Sequence, residues 1–143
     1  IADFFVKPYV TVARRDEILA EIRFQKPGDG VRGAFVKLGR RNAVSIARLS
    51  VAAILRFGST GDIREARIVP GAAFPSWKRV NEAEDLLMGQ KPSKRIFEAA
   101  GKQVSEVMIS VTGRRWSTEY KEPVIAVLVR RALEQCSDAE GAI

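Results

Sequence analysis

Histidine is absent from this chain, and cysteine occurs once, at Cys136. Without histidine, every catalytic triad built on imidazole and most zinc sites are excluded. With one thiol there is no disulfide within the chain, and no cysteine-ligated metal or iron–sulfur cluster. Long apolar runs are also lacking. Stretches such as Val51-Ala52-Ala53-Ile54-Leu55 fall far short of a membrane span. The apolar residues near the N-terminus come in short pieces broken by polar ones, unlike a signal peptide. No block of five or six like charges occurs: Arg14-Arg15, Arg40-Arg41, Arg114-Arg115 and Arg130-Arg131 are scattered pairs. An enzyme made from this chain alone would therefore depend on carboxylates, lysine, tyrosine or a borrowed cofactor.

What is present describes an ordinary globular protein. The 143 residues, 46% hydrophobic and 29% charged, suit one domain with a single core. A start at Ile1 rather than methionine is expected of a piece of something longer. The net charge of +7 is compatible with nucleic-acid binding, but 17 acidic residues are interspersed among the 24 basic ones, which reads as a solvated surface. One free thiol fits a reducing, cytoplasmic setting.

Residues 1–16, with Pro8 and no sustained period, read as an arm or linker, and residues 17–143 as one domain. From Ile18 the pattern alternates, with Ile18, Ala20, Ile22 and Phe24 facing one way and Leu19, Glu21, Arg23 and Gln25 the other. Lys26-Pro27-Gly28-Asp29-Gly30 is rich in turn residues. A second alternating run places Ala34, Val36 and Leu38 opposite Phe35 and Lys37. A hairpin centred on Gly28 would set Ile18 against Leu38, Ala20 against Val36 and Ile22 against Ala34, with Leu19 beside Lys37 on the other face. Leu49 to Phe57, apolar on both faces, suits a central strand, with a buried helix as the rival assignment. Gly58-Ser59-Thr60-Gly61 is a turn. Ile63 to Val69 is a further strand, closed by Pro70-Gly71.

The remainder is helical. Asn81 is placed to cap a helix with Glu84 as its reciprocal partner, and Gly89 to end it. Ser93 caps a second helix with the stripe Ile96, Ala100, Val104 and Val107. Gly101 at its midpoint costs about 1 kcal/mol relative to alanine. In the third helix Ile125, Leu128, Val129, Ala132, Leu133 and Cys136 keep a helical period, and Pro123 is tolerable only near the first turn. Strands followed by helices predict an α+β fold, an antiparallel sheet of three to four strands covered on one side by three helices.

Few residues read as chemistry. Leu19 beside Lys37 offers an apolar surface and a cation, which suits a planar anionic ligand. The same pair also fits an edge hairpin whose lysine blocks further pairing. Lys37-Leu38-Gly39-Arg40-Arg41 lacks the glycines of a phosphate loop. Arg114-Arg115-Trp116 joins cation and aromatic, but is expected to be an interhelical loop with its tryptophan packed on the core. Glu82, Glu84 and Asp85 suit a helix N-terminus without any acid–base role, and Cys136 lies on an apolar stripe as inert core.

A series of segments carries a resemblance. They are Asp3-Phe4-Phe5 with Pro8-Tyr9, Asp16-Glu17-Ile18-Leu19, Ala34-Phe35-Val36-Lys37-Leu38-Gly39-Arg40-Arg41, Ala66-Arg67-Ile68, Glu82-Ala83-Glu84 to Leu87-Met88-Gly89, and Glu119-Tyr120-Lys121 leading into Val127-Leu128-Val129-Arg130-Arg131-Ala132-Leu133. In this order the chain resembles the C-terminal domain of the FAD-binding medium subunit of molybdenum hydroxylases, which include the xanthine and carbon monoxide dehydrogenases. Two positions depart from the family pattern: Lys121, where arginine is commoner, and Val69-Pro70-Gly71-Ala72, usually a more glycine-rich turn. The resemblance implies that residues 1–16 lead from N-terminal FAD-binding lobes of the same polypeptide. It also implies that the domain closes over the flavin with Leu19 and Lys37 as FAD contacts, and helps assemble the subunits. Molybdopterin and [2Fe–2S] clusters would reside in partner subunits, and no residue of this chain would be catalytic by itself. Neither membrane nor nucleic acid is expected as a partner. The alternative class is a basic nucleic-acid or protein interaction module with no redox role. A purely structural assembly domain is a third reading.

Overall fold

A computed structural model describes residues 2–41 and 44–138. Near the N-terminus a 3-10 turn, Ala2–Phe4, leads into a small hairpin of β1 (Phe5–Lys7) and β2 (Val10–Thr11). The arm is thus partly structured, its turn made by Pro8 and by Tyr9 at φ 62°. The main sheet has three antiparallel strands in the order β3-β4-β5: Val31–Leu38, Leu49–Phe57 and Ile63–Gly71. Helices α1 (Asn81–Asp85), α2 (Lys94–Thr112) and α3 (Thr118–Asp138) follow. This is the α+β arrangement expected from strands followed by helices.

The predicted hairpin between residues 18–24 and 34–38 does not form. Residues 17–28 carry no strand, and β3 pairs with β4, placing Val36 against Val51, Lys37 against Ser50 and Leu38 against Leu49. Ile18 and Phe24 stand 90% and 85% exposed. The division of β3 into faces is nevertheless as expected. Ala34, Val36 and Leu38 pack against the core, while Phe35 and Lys37 are exposed. Alternation fixes which residues share a face, and a core face of this kind can be satisfied by either neighbouring strand.

Leu49–Phe57 is the central strand, not a helix. Leu49, Val51, Ala53 and Leu55 are buried against the helices. β5 runs on through Pro70, which an edge strand tolerates because its missing N–H breaks no second ladder. All six residues of the predicted α3 stripe, Ile125 through Cys136, are buried. Pro123 lies in the second turn of this helix rather than the first.

Helix α1 differs from its sequence reading. Its N-cap is Val80, without a side-chain cap, and Asn81 is already helical. The Glu84 carboxylate instead accepts from Ile68 N at 2.8 Å and from Arg79 Nε at 3.1 Å and Nη2 at 2.6 Å, joining α1 to β5. That hydrogen bonding from Glu84 raises the Arg79 pKa. Ser93 caps α2 as expected, accepting from Ile96 N at 3.4 Å. Gly101 has a packing reason: a Cβ there would collide with the Ala126 carbonyl of α3.

Candidate functional site

The three helices cover one face of the sheet and leave the other open. On that open face the register aligns Lys37 with Ser50 and Gly71, then Phe35 with Ala52 and Val69, then Gly33 with Ile54 and Arg67. The chemistry changes along the face. At one end Glu65 sits between Arg56 and Arg67, at 3.2 Å and 2.6 Å, and hydrogen bonds from those arginines lower its pKa. The middle is apolar, with Phe35 65% exposed beside Ala52 and Val69. At the other end stands Lys37, whose side chain makes no ion pair or hydrogen bond among the described residues.

A groove of about 420 Å³ lies over the apolar middle and the Ser50–Gly71 row. Its floor is Phe35, Ser50, Ala52, Val69 and Gly71, one wall is Phe5 and the hairpin tip Lys7-Pro8-Tyr9, and the other is Ala72 with Phe74-Pro75-Ser76-Trp77. Small floor residues make the space. A Cβ on Gly71 would overlap the Ser50 hydroxyl, and a bulky residue at 52 would stand up between Phe35 and Val69. Five aromatic residues line the groove: Phe5, Tyr9, Phe35, Phe74 and Trp77. Exposed aromatic surface around a narrow floor, with Lys7 in the hairpin wall and Lys37 beyond the lining beside Ser50, matches a flat ligand with a polar edge.

Of the two residues singled out in the sequence, Lys37 lies on this face. Leu19, 54% exposed, belongs to the strandless stretch 17–28 and is not its strand partner. The signal that sequence reasoning missed is the far wall. In the sequence Pro70-Gly71 reads only as closing a strand and 74–77 carry no reading, yet Pro70, Gly71, Ala72 and Phe74-Pro75-Ser76-Trp77 complete the groove. The proline and aromatic content of 70–77 was the available clue.

Other candidates resolve as structural. Trp116 is 92% exposed rather than packed on the core. The short interhelical loop is anchored through its arginines, Arg114 to Glu122 at 3.2 Å and Arg115 to the Thr112 carbonyl at 3.1 Å, which leaves the indole outside. Arg14 and Arg130 are likewise paired, with Glu17 and Glu134. Cys136 is buried, and burial pushes its thiol up to about 11. Among the described residues no cluster of acids or cysteine could hold a metal ion, and no helix is long and apolar enough to cross a membrane.

Known proteins share this architecture. The nicotine 6-hydroxylase medium subunit of Paenarthrobacter nicotinovorans is 31% identical over 92% of this chain and 45% of its own length. The xanthine dehydrogenase FAD-binding subunit of Escherichia coli O157:H7 is 25% identical over 99% of the chain and 48% of its own. The chain thus spans about half the length of the curated relatives it matches. Among solved structures, carbon monoxide dehydrogenase from Hydrogenophaga pseudoflava, in a form lacking the Mo-pyranopterin moiety of its cofactor, superposes with a TM-score of 0.79 at 25% identity, covering 94% of this chain and 46% of that one. Residues 34–136, from the middle of β3 to the last buried residue of α3, match the family described as the CO dehydrogenase flavoprotein C-terminal domain, and the chain belongs to that family.

Proposed function

We propose that this chain is the C-terminal domain of a FAD-binding electron-transfer subunit in a cytoplasmic, molybdopterin-dependent dehydrogenase or hydroxylase, and that its open sheet face forms one wall of the flavin site. The observation that carries this reading is the groove, with its small-residue floor, aromatic lining and, on the same face, Lys37, which has no partner among the described residues. These residues fit a flavin ring. The aromatic and apolar surface takes its faces, and the glycine and alanine of the floor admit its thickness.

FAD, when bound, would supply the redox chemistry, and the protein supplies position and charge. Lys37 would stand where the ring edge becomes more negative on reduction, favouring the reduced state and so raising the potential. The lining of Phe35 and Val69 would keep water from the covered face of the ring. Most of the FAD would lie on N-terminal lobes of the same polypeptide, reached through residues 1–16. The molybdopterin and iron–sulfur centres would lie in partner subunits.

Leu19 joins the site under a further condition. Ile18, Ile22 and Phe24 alternate like a strand but find no pairing here, so the stretch 17–28 would take its partner from the flavin-binding lobes and carry Leu19 to the ring. Replacing Lys37 by methionine in the full-length subunit tests the reading. Either the flavin potential falls or FAD affinity drops by about tenfold, the loss typical of a charge-assisted contact. An unchanged potential together with unchanged affinity would sink it.

A further inference from the structure

The groove wall at residues 72–77 has no regular secondary structure, yet it sets the width of the site. It begins at Ala72, a non-glycine residue at φ 58°, in the left-handed region that a Cβ disfavours. A chain leaving an edge strand in this conformation relaxes unless something holds it. Ala73 is buried in the core and Phe74 packs against it, and a polar tie is added from the helix layer on the opposite face of the sheet. Lys121 Nζ, in the first turn of α3, donates to the Ala72 carbonyl at 2.8 Å. Among the described residues no other hydrogen bond joins 72–77 to a strand or helix of the fold. Lys121 makes no ion pair among them either, so its charge is directed at this carbonyl. The corner is braced from below, where the Arg48 guanidinium lies 5.5 Å from the ring of Tyr120, the residue before Lys121.

We propose that Lys121 is a positioning residue for the groove: its bond to Ala72 holds the 72–77 wall at the spacing a flat ring needs. The inference rests on the flavin reading of the groove, and two readouts separate them. Trp77 stands in the wall, half exposed, and Trp116 is the only other tryptophan of this 143-residue chain, on which the quenching is read. In a Trp116→Phe background, tryptophan fluorescence therefore reports the wall alone, without FAD.

Lys121→Met in that background is expected to raise acrylamide quenching of Trp77 by about twofold, because the wall opens locally. In the FAD-loaded full-length subunit the same change is expected to weaken FAD binding by about tenfold. Lys121→Arg, which keeps charge and reach, is expected to restore both. Unchanged quenching overturns the tether, as does a failure of Lys121→Arg to restore what methionine removes. Increased quenching with unchanged FAD affinity overturns the positioning role. In that case Lys37→Met decides the flavin reading separately, since a fall in potential or affinity there leaves the flavin reading standing and removes only Lys121. Lys121→Gln, with a shorter donor, provides an intermediate response should the methionine variant fold poorly. A glutamine variant indistinguishable from wild type in both readouts also overturns the proposal.

Discussion

Asp62 closes the turn between β4 and β5 through both its carboxylate and its main chain. Its carboxylate accepts from the Thr60 hydroxyl and pairs with Arg64 at 2.6 Å, while Gly58 N donates to its main-chain carbonyl at 2.8 Å. The Thr60 hydrogen bond lowers its pKa below the ordinary 3.8, and Arg64 and Lys91 act in the same direction against the opposing effect of burial. A carboxylate depressed in the folded state stabilises the protein fully above its unfolded value, and that contribution fades as pH falls through the lower folded value. Asp62→Asn should therefore lower the melting temperature near neutral pH and flatten the acid limb, so that the two proteins converge as pH falls below the ordinary carboxylate value of 3.8. Parallel melting curves offset by a constant amount down to the lowest pH would contradict this. Gly58 is small for the same reason, since a Cβ would lie 2.8 Å from Asp62 Oδ1 and 3.0 Å from Arg64 Nε. Sequence reading found the turn from its glycines but not this closure, which depends on a hydroxyl and a guanidinium meeting one carboxylate in space.

Helix α3 was legible at the scale of an element, because its apolar residues recur at the helical period and must all turn to one side. Gly101 in α2 shows the limit of such reasoning. Propensity alone counts it as a defect of about 1 kcal/mol. Packed on α3 it becomes a requirement, because the helix backbones approach too closely for a methyl group against the Ala126 carbonyl. Gly101→Ala should thus destabilise the fold by about 1–3 kcal/mol, overpacking outweighing the gain in helix propensity. A lower denaturant midpoint at unchanged slope would record this, and an unchanged or raised midpoint would show that α2 and α3 can separate freely. The failed hairpin has a related cause. The even-numbered residues Ala34, Val36 and Leu38 need a strand with an inward-facing apolar row, and both 18–24 and 49–55 provide one. Residues 49–57 prevail because that strand is apolar on its flanks as well, pairs on both edges and is buried under the helices.

Across the whole molecule, a complete core lies under one face of the sheet and leaves the grooved face open. The buried cluster runs continuously from the β4 face through Val80, Leu87 and Phe97 to α3, while Phe35, Lys37 and Trp77 remain on the other side of the sheet, exposed. Expressed by itself, the chain is expected to fold but to retain no FAD on purification, since one wall cannot repay the ordering of so large a ligand. Stoichiometric yellow flavin carried by this chain alone would contradict that expectation. The sequence by itself determined the fold class, the two faces of β3 and the buried stripes of the long helices, because each follows from the local period of apolar residues. Tertiary structure alone decided that β3 pairs with β4, that Glu84 bonds β5 instead of capping a helix, and that 70–77 and Lys121 meet at one groove. Those outcomes depend on contacts between distant residues, which a periodic pattern permits but does not choose.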